Sequence, residues 1–112
     1  MIFHIMPQAD WSDAQHQVTY QPVSLDSEGF IHCSTREQLV ESATLHFHGQ
    51  SNLVVLCIDE PRVEADIRYE NLTGGTPQFP HIYGPLNADA IVDVLDLPQT
   101  PNGAFQLPPR LA

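Results

Sequence analysis

Two histidines stand at the centre of short apolar segments, where a rigid strand can present a side chain to a ligand. His4 lies in the tripeptide FHI, and His32 lies in the segment GFIHCST at 29–35. In a strand each imidazole points to the face opposite its apolar neighbours. Imidazoles donate hydrogen bonds to hydroxyls or phosphates and titrate near neutral pH. We expect both rings to face each other on neighbouring core strands and to line one cleft as catalytic groups. The alternative is that each is a half-buried histidine with a backbone partner.

The residues directly after His32 predict the start of a helix. Ser34 and Glu37 match a capping box, in which each side chain satisfies a free backbone N–H. A helix should follow over residues 35–47 and end before Gly49. The free amides and positive dipole end at such a helix start suit an anion. Ser34 and Thr35 are therefore candidate ligand-binding residues.

Apolar and polar residues alternate with a period of two in the segment at 65–70. This segment ends with a basic and an acidic side chain. Arg68 can hold a phosphate or a carboxylate, and Glu70 can orient a hydroxyl or act as a base. Tyr69 stands between them and is a third candidate for ligand binding. The alternative for Arg68 and Glu70 is an ion pair on the surface.

A histidine and a tyrosine share one strand face in the segment FPHIYG. His81 and Tyr83 are two residues apart, and Gly84 would let a ligand approach the backbone closely. Buried polar aromatic side chains need a hydrogen-bond partner. We therefore include His81 and Tyr83 among the ligand-binding candidates. The alternative is ordinary turn and edge chemistry.

The elements that would position these residues are mostly strands. Residues 35–47 carry apolar side chains at helical spacing, and Asp10 is expected to cap a helix over 11–17. The chain favours an α+β fold with a split, mostly antiparallel, curved sheet and two main helices. The expected strands are residues 2–6, 30–33, 52–59, 65–70, 81–86, 90–97 and, at the end, 104–107. Residues 18–28 and 71–80 are expected to be loops.

The net charge of the chain disfavours some classes of binding partner. The chain has 14 acidic residues, four arginines and no lysine, which gives a formal charge of −10. Such a surface repels nucleic acids and anionic lipids, because phosphate binding depends on Lys and Arg. We expect a small anionic ligand, with neither nucleic acid nor membrane as a partner.

Size and composition indicate one globular domain over residues 1–112. Apolar residues make up 42% of the chain. The longest apolar run, 53–58, is far shorter than the roughly 18 residues of a membrane helix. The first residues lack the pattern of a secretory signal. We expect a cytoplasmic monomer.

Several of these segments together resemble a known family. They are FHI at 3–5, GFIHCSTREQ at 29–38, LVVLCID at 53–59, RYE at 68–70 and FPHIYGPL at 79–86. This pattern is similar to the bacterial family called domain of unknown function 952. The resemblance implies a fold like that of ADP-ribosyltransferases, with NAD in a central cleft. It also implies that His4 and His32 contact NAD, while Glu70 is the best candidate by chemistry for an acid that activates the acceptor.

Three functions remain open at the level of sequence. The first is NAD-dependent chemistry, with NAD as a substrate rather than a resident cofactor and ADP-ribose as the transferred group. The second is a module that binds a nucleotide or similar anion without catalysis. The third is a metal protein using His4, His32 and His81, although the sequence contains neither a CxxC nor an HExxH motif. His46 and His48 diverge on a helix and are expected to be exposed. A carboxylate facing the cleft would favour catalysis.

Overall fold

The computed structural model describes all 112 residues and shows an α+β fold with antiparallel sheets and short helices. The strands are β1 (Ile2–Pro7), β2 (Thr19–Tyr20), β3 (Ile31–His32), β4 (Leu53–Ile58), β5 (Asp66–Glu70), β6 (Phe79–Tyr83), β7 (Leu86–Asn87) and β8 (Ile91–Asp96). The α-helices are α1 (Gln8–Ala14), α2 (Val23–Ser27) and α3 (Leu39–His46). Short 3-10 helices cover Arg36–Gln38, Glu60–Arg62, Ala88–Ala90 and Pro109–Leu111. No helix is long and apolar enough to cross a membrane.

The sheet is divided into separate parts. One sheet has the order β1-β4-β8, a second has the order β3-β6-β5, and β2 pairs with β7. Every pairing is antiparallel. An isolated bridge joins the two larger sheets, in which Phe3 and Ser34 exchange backbone hydrogen bonds of 2.9 and 2.8 Å. The expectation of a mostly antiparallel α+β fold is confirmed.

The central strand of the first sheet, β4, is buried on both faces. All six residues of β4 are buried, as its unbroken apolar sequence predicts. Along β1 the side chains alternate, so Ile2 and Met6 enter one apolar cluster while Phe3 and Ile5 enter the other. Helix α3 packs Leu39 and Ala43 into the second cluster. One face of the second sheet packs against the first apolar cluster. Its other face forms one wall of a cleft.

Several predicted boundaries are wrong. Helix α1 starts at Gln8, directly after Pro7, and has no side-chain cap; the predicted helix over 11–17 with Asp10 as cap is displaced. The proline φ of −61° already fits the helix entry, so the turn needs no capping side chain. The predicted loop at 18–28 contains β2 and α2, and there are three α-helices rather than two main ones. These elements are too short to show periodicity.

The C-terminal predictions are partly confirmed. Strand β8 lies within the predicted 90–97, whereas the predicted strand at 81–86 starts at Phe79 and ends at Tyr83. The last predicted strand is only an isolated bridge between Gln99 and Phe105.

The helix start also differs from the predicted one. Thr35, not Ser34, is the cap, and Gln38, not Glu37, closes the box. The Gln38 side chain accepts from the Thr35 N–H at 3.0 Å. The shift by one residue follows from the backbone pairing of Ser34 with Phe3, which keeps Ser34 extended as a continuation of the strand. A 3-10 turn then leads into α3.

Candidate functional site

One face of the second sheet collects most of the candidate side chains. The register pairs His32 with His81 and Arg68 with His81, across three antiparallel strands. Because side chains alternate along each strand, Glu70 and Tyr83 lie on that same face. The opposite face carries Ile31, Ile67 and Ile82, which contact the core. The alternating pattern thus brings histidines, a carboxylate and a phenol together.

This face forms a wall of a cavity of about 540 Å³. Residues of β1, α3 and the 71–77 segment line the other sides. Four of the five phenylalanines line it, namely Phe3, Phe30, Phe47 and Phe79. Its ionisable residues are His4, His32, His46, His81, Cys33, Glu28, Glu41 and Glu70. No arginine lines it, so the cleft is apolar and acidic rather than basic.

Glu70 is held by a histidine and a tyrosine. His81 Nδ1 lies 2.9 Å from Glu70 Oε1, and the Tyr83 hydroxyl donates to the same oxygen. Both hydrogen bonds lower the pKa of Glu70, and the one from Tyr83 has the larger effect. The hydrogen bond to Glu70 in turn raises the pKa of Tyr83. Glu70 is therefore an ionised carboxylate at neutral pH. Its second oxygen, Oε2, has no hydrogen bond within the protein, so it is available to a ligand.

His32 pairs with a different carboxylate. Its Nε2 lies 2.9 Å from Glu28 Oε2, and both side chains are about half exposed, at 49% and 47%. The ring of His32 lies 5.6 Å from that of His81 and 6.3 Å from that of His46. The cleft therefore contains a row of imidazoles with a carboxylate at two of them.

The side chain of His4 has other hydrogen-bond partners than the predicted ligand. Its Nδ1 donates to the backbone carbonyl oxygen of His32 at 2.6 Å, and its Nε2 lies 3.2 Å from the Tyr20 hydroxyl. Burial lowers the pKa of His4 to about 4. Both ring nitrogens are engaged by the protein, and the ring of His32 turns to Glu28 instead. His4 and His32 border the same cavity, as predicted, but they lie on strands of different sheets rather than on neighbouring strands. The backbone-partner alternative describes His4.

The serine and threonine after His32 have separate roles. The Ser34 hydroxyl donates to the Ser42 hydroxyl at 2.8 Å, and both residues line the cleft. Thr35 caps the 3-10 turn and does not line the cleft. Ser34 thus remains a candidate contact for a ligand, whereas the predicted ligand role of Thr35 has no counterpart in the cleft.

Arg68 and Tyr69 are also outside the cleft lining. Arg68 donates to Asp66 at 2.9 Å and lies 4.3 Å above the ring of Tyr83. The predicted surface ion pair therefore exists, but with Asp66 in place of Glu70. Tyr69 points to the other sheet face, since it alternates with Glu70, and burial with a hydrogen bond to Glu60 raises its pKa to about 12. Tyr83 reaches the cleft only through its hydroxyl contact with Glu70.

Other cleft residues were not expected from the sequence. They include Glu28, Phe30, Gln38, Ser42 and His46. Two had a readable signal, because Phe30 lies two residues before His32 on one strand face and Glu28 lies four residues before it. The place of His46 depends on how α3 packs, and no local pattern shows this.

A metal site has no geometric support. No group of three or more His, Cys, Asp or Glu side chains is placed to hold a metal ion. Both ring nitrogens of His4 are engaged, one by the backbone carbonyl oxygen of His32 and the other by the Tyr20 hydroxyl. The three-histidine metal alternative is therefore set aside.

Comparisons with known proteins agree with the motifs. The chain is similar to protein CC0527 from Caulobacter crescentus, whose crystal structure is 36% identical, with 98% of this chain and 96% of that chain covered and a TM-score of 0.83. A double mutant of that protein gives 34% identity, the same coverage and a TM-score of 0.84. The solution NMR structure gives 34% identity, coverage of 95% and 91%, and a TM-score of 0.81. No curated protein matches. The family described as "Protein of unknown function (DUF952)" matches residues 5–94, and the chain belongs to this family.

Proposed function

We propose that the cleft binds a nucleotide of the NAD type and that the protein cleaves the bond between nicotinamide and ribose. ADP-ribose then passes to water or to another small acceptor. The observation that carries the proposal is the free Oε2 of Glu70, an ionised carboxylate oxygen on the cleft wall.

The chemistry of this bond calls for a carboxylate. As nicotinamide leaves, positive charge develops on the ribose ring, as it does in glycoside hydrolysis. A carboxylate that is fixed in place stabilises such charge without reorganising. Tyr83 and His81 fix Glu70, and both bonds go to Oε1. Glu70 Oε2 is therefore the atom proposed to contact the ribose.

The lining of the cleft favours the nicotinamide end of the ligand. NAD carries a positive pyridinium ring at one end and two phosphates in the middle. Phenylalanine rings and carboxylates such as Glu28 and Glu70 attract a flat cation, whereas the lack of arginine disfavours deep burial of the phosphates. In this proposal the phosphates stay near the mouth, and hydroxyls such as that of Ser42 contact the ribose.

The fold is consistent with this assignment. A split antiparallel sheet with a cleft beside it is expected in the ADP-ribosyltransferase-like fold. We propose that this chain has that fold. His4, which was predicted to contact NAD, has no such role in this proposal, since both of its ring nitrogens are engaged by the protein.

A non-catalytic binding module is the second candidate. It is favoured by one observation: Arg68, the predicted phosphate partner, is outside the cleft and paired with Asp66. A module of this kind would hold the nicotinamide nucleoside portion without breaking its bond to ribose.

Calorimetry with NAD, followed by measurement of nicotinamide release, tests both candidates. Binding with release supports the enzyme, and binding without release supports the module. In the enzyme, Glu70→Gln should keep NAD binding and reduce release by roughly 100-fold, because the amide preserves shape but not charge. Glu64→Gln is the matched control, since Glu64 is exposed and outside the cleft. If NAD, ADP-ribose and simple nucleotides all show no binding at millimolar concentration, the nucleotide proposal is wrong.

A further inference from the structure

We infer that His81 is the general base of the cleft and that the acceptor it activates is water, so that the protein hydrolyses its substrate. This inference rests on the proposed function for the bond that is cleaved. It adds a catalytic residue, and it names the acceptor.

The hydrogen bonding of His81 determines which nitrogen can accept a proton. Its Nδ1 lies 2.9 Å from Glu70 Oε1, and the ionised carboxylate can only accept, so Nδ1 carries the hydrogen. In the neutral ring Nε2 then has a free lone pair. No protein group hydrogen-bonds to Nε2, and His81 lines the cleft. A carboxylate that accepts a hydrogen bond from one ring nitrogen orients a histidine so that the other nitrogen can act as a base.

Burial holds the ring in this orientation. The side chain of His81 is only 7% exposed, and the ring of Phe30 stacks on it at 4.2 Å with an angle of 23°. Glu70 is itself held by Tyr83. A base with a fixed ring loses little freedom when the reaction begins, which is the advantage of prior positioning.

The other three histidines that line the cleft are less suited to the role, and His46 among them is exposed. Both nitrogens of His4 are engaged by His32 and Tyr20. His32 is half exposed and is oriented by Glu28, which is half exposed as well. Only His81 combines a buried ring, a partner that is itself held by a second hydrogen bond, and one open nitrogen.

The reaction step balances with water alone. The bond between ribose C1 and the nicotinamide nitrogen breaks, and nicotinamide leaves with the electron pair as a neutral molecule. Water forms a new C–O bond at C1, and its proton passes to Nε2 of His81. The products are ADP-ribose, nicotinamide and one proton, which His81 later releases to solvent.

The test compares His81→Asn with wild-type protein. The asparagine amide occupies the place of Nδ1 and can still donate to Glu70, but it cannot accept the proton of water. We expect unchanged NAD affinity and nicotinamide release slowed by at least about 100-fold, the usual contribution of a general base. His16→Asn is the control, because His16 is exposed and outside the cleft. His81→Gln gives a second variant without a base, and circular dichroism checks that both variants fold.

The outcomes separate the inference from the proposed function. If wild-type protein releases nicotinamide and His81→Asn does so at the same rate, His81 is not the base, and the proposed function stands. If wild-type protein releases none, the proposed function is wrong and the hydrolytic step falls with it. Nitrogen NMR of the wild-type ring gives an independent check: Nε2 carrying the hydrogen at neutral pH overturns the inference whatever the rates are.

Discussion

The ring of His4 donates from Nδ1 to the backbone carbonyl oxygen of His32, over a distance of 2.6 Å. This bond joins the first sheet to the second one beside the contact of Phe3 with Ser34. It also requires the hydrogen of the neutral ring to be on Nδ1, so that Nε2 accepts from the Tyr20 hydroxyl. His4 is thus a neutral link between two sheets.

Protonation of His4 should destabilise the fold in mild acid. Burial lowers its pKa from 6.5 to about 4, so between these values the unfolded chain takes up a proton that the folded chain does not. Stability is complete above the unfolded pKa and falls as the pH drops from about 6.5 to about 4, by on the order of 3 kcal/mol for this residue. Urea unfolding at several pH values measures it.

The variant His4→Gln should remove this part of the pH dependence, because glutamine does not titrate. His16→Gln is the control, since His16 is exposed. Equal slopes of stability against pH for wild-type protein and His4→Gln between pH 4 and 6.5 would show that His4 does not stay neutral in the folded state.

The helix cap offers a direct comparison of two neighbouring residues. Thr35→Ala removes the side chain that caps the turn at Arg36–Gln38, and we expect a loss of about 1 kcal/mol in the free energy of unfolding. Glu37→Ala should cost little, because Glu37 makes only an exposed contact of 3.7 Å with Arg36. Urea midpoints of both variants decide the matter, and a larger loss for Glu37→Ala would contradict the observed cap.

The sequence predicted those elements that have a strong local signal. Strand β4 lies one residue inside each predicted end, because its six buried residues form an unbroken apolar run between polar ends. Strands β2 and β7 have only two residues each, so neither shows a period. They exist because the chain pairs Tyr20 with Leu86 over a long distance in sequence. No local rule could predict that pairing.

The residues of the candidate site were likewise predictable only where the sequence carries a local signal. The face shared by His81 and Tyr83 was predictable from a period of two. Tyr69 was included among the ligand-binding candidates, although the same period places it on the face opposite Glu70. The hydrogen bond of His4 with Tyr20 was not predictable, because tertiary packing and not sequence spacing brings those atoms together. His32 instead binds a local partner, Glu28, across a turn.

The protein should not bind RNA or DNA at physiological ionic strength. The formal charge is −10, and each of the four arginines already contacts a carboxylate. These contacts are Arg36–Glu37, Arg62–Asp59, Arg68–Asp66 and Arg110–Asp93. Binding to phosphates would have to displace them against a repelling surface. A gel shift with single- and double-stranded probes checks this, and a retarded band that weakens with added salt would overturn it.

Removal of the tyrosine hydroxyl next to Glu70 should raise the pKa of Glu70. Its hydrogen bond is the main cause that lowers the pKa of Glu70, so Tyr83→Phe raises that pKa. The ionised carboxylate, which the proposed reaction needs, is present above this pKa and is lost as the pH falls. Carboxyl-carbon NMR should therefore show that Glu70 loses its charge at a higher pH in Tyr83→Phe than in wild-type protein. Tyr69→Phe is the matched control, because Tyr69 lies on the opposite face of the same sheet and its hydroxyl makes no hydrogen bond to Glu70. A Glu70 titration that shifts equally in both variants, or in neither, would mean that Tyr83 does not set the charge of Glu70.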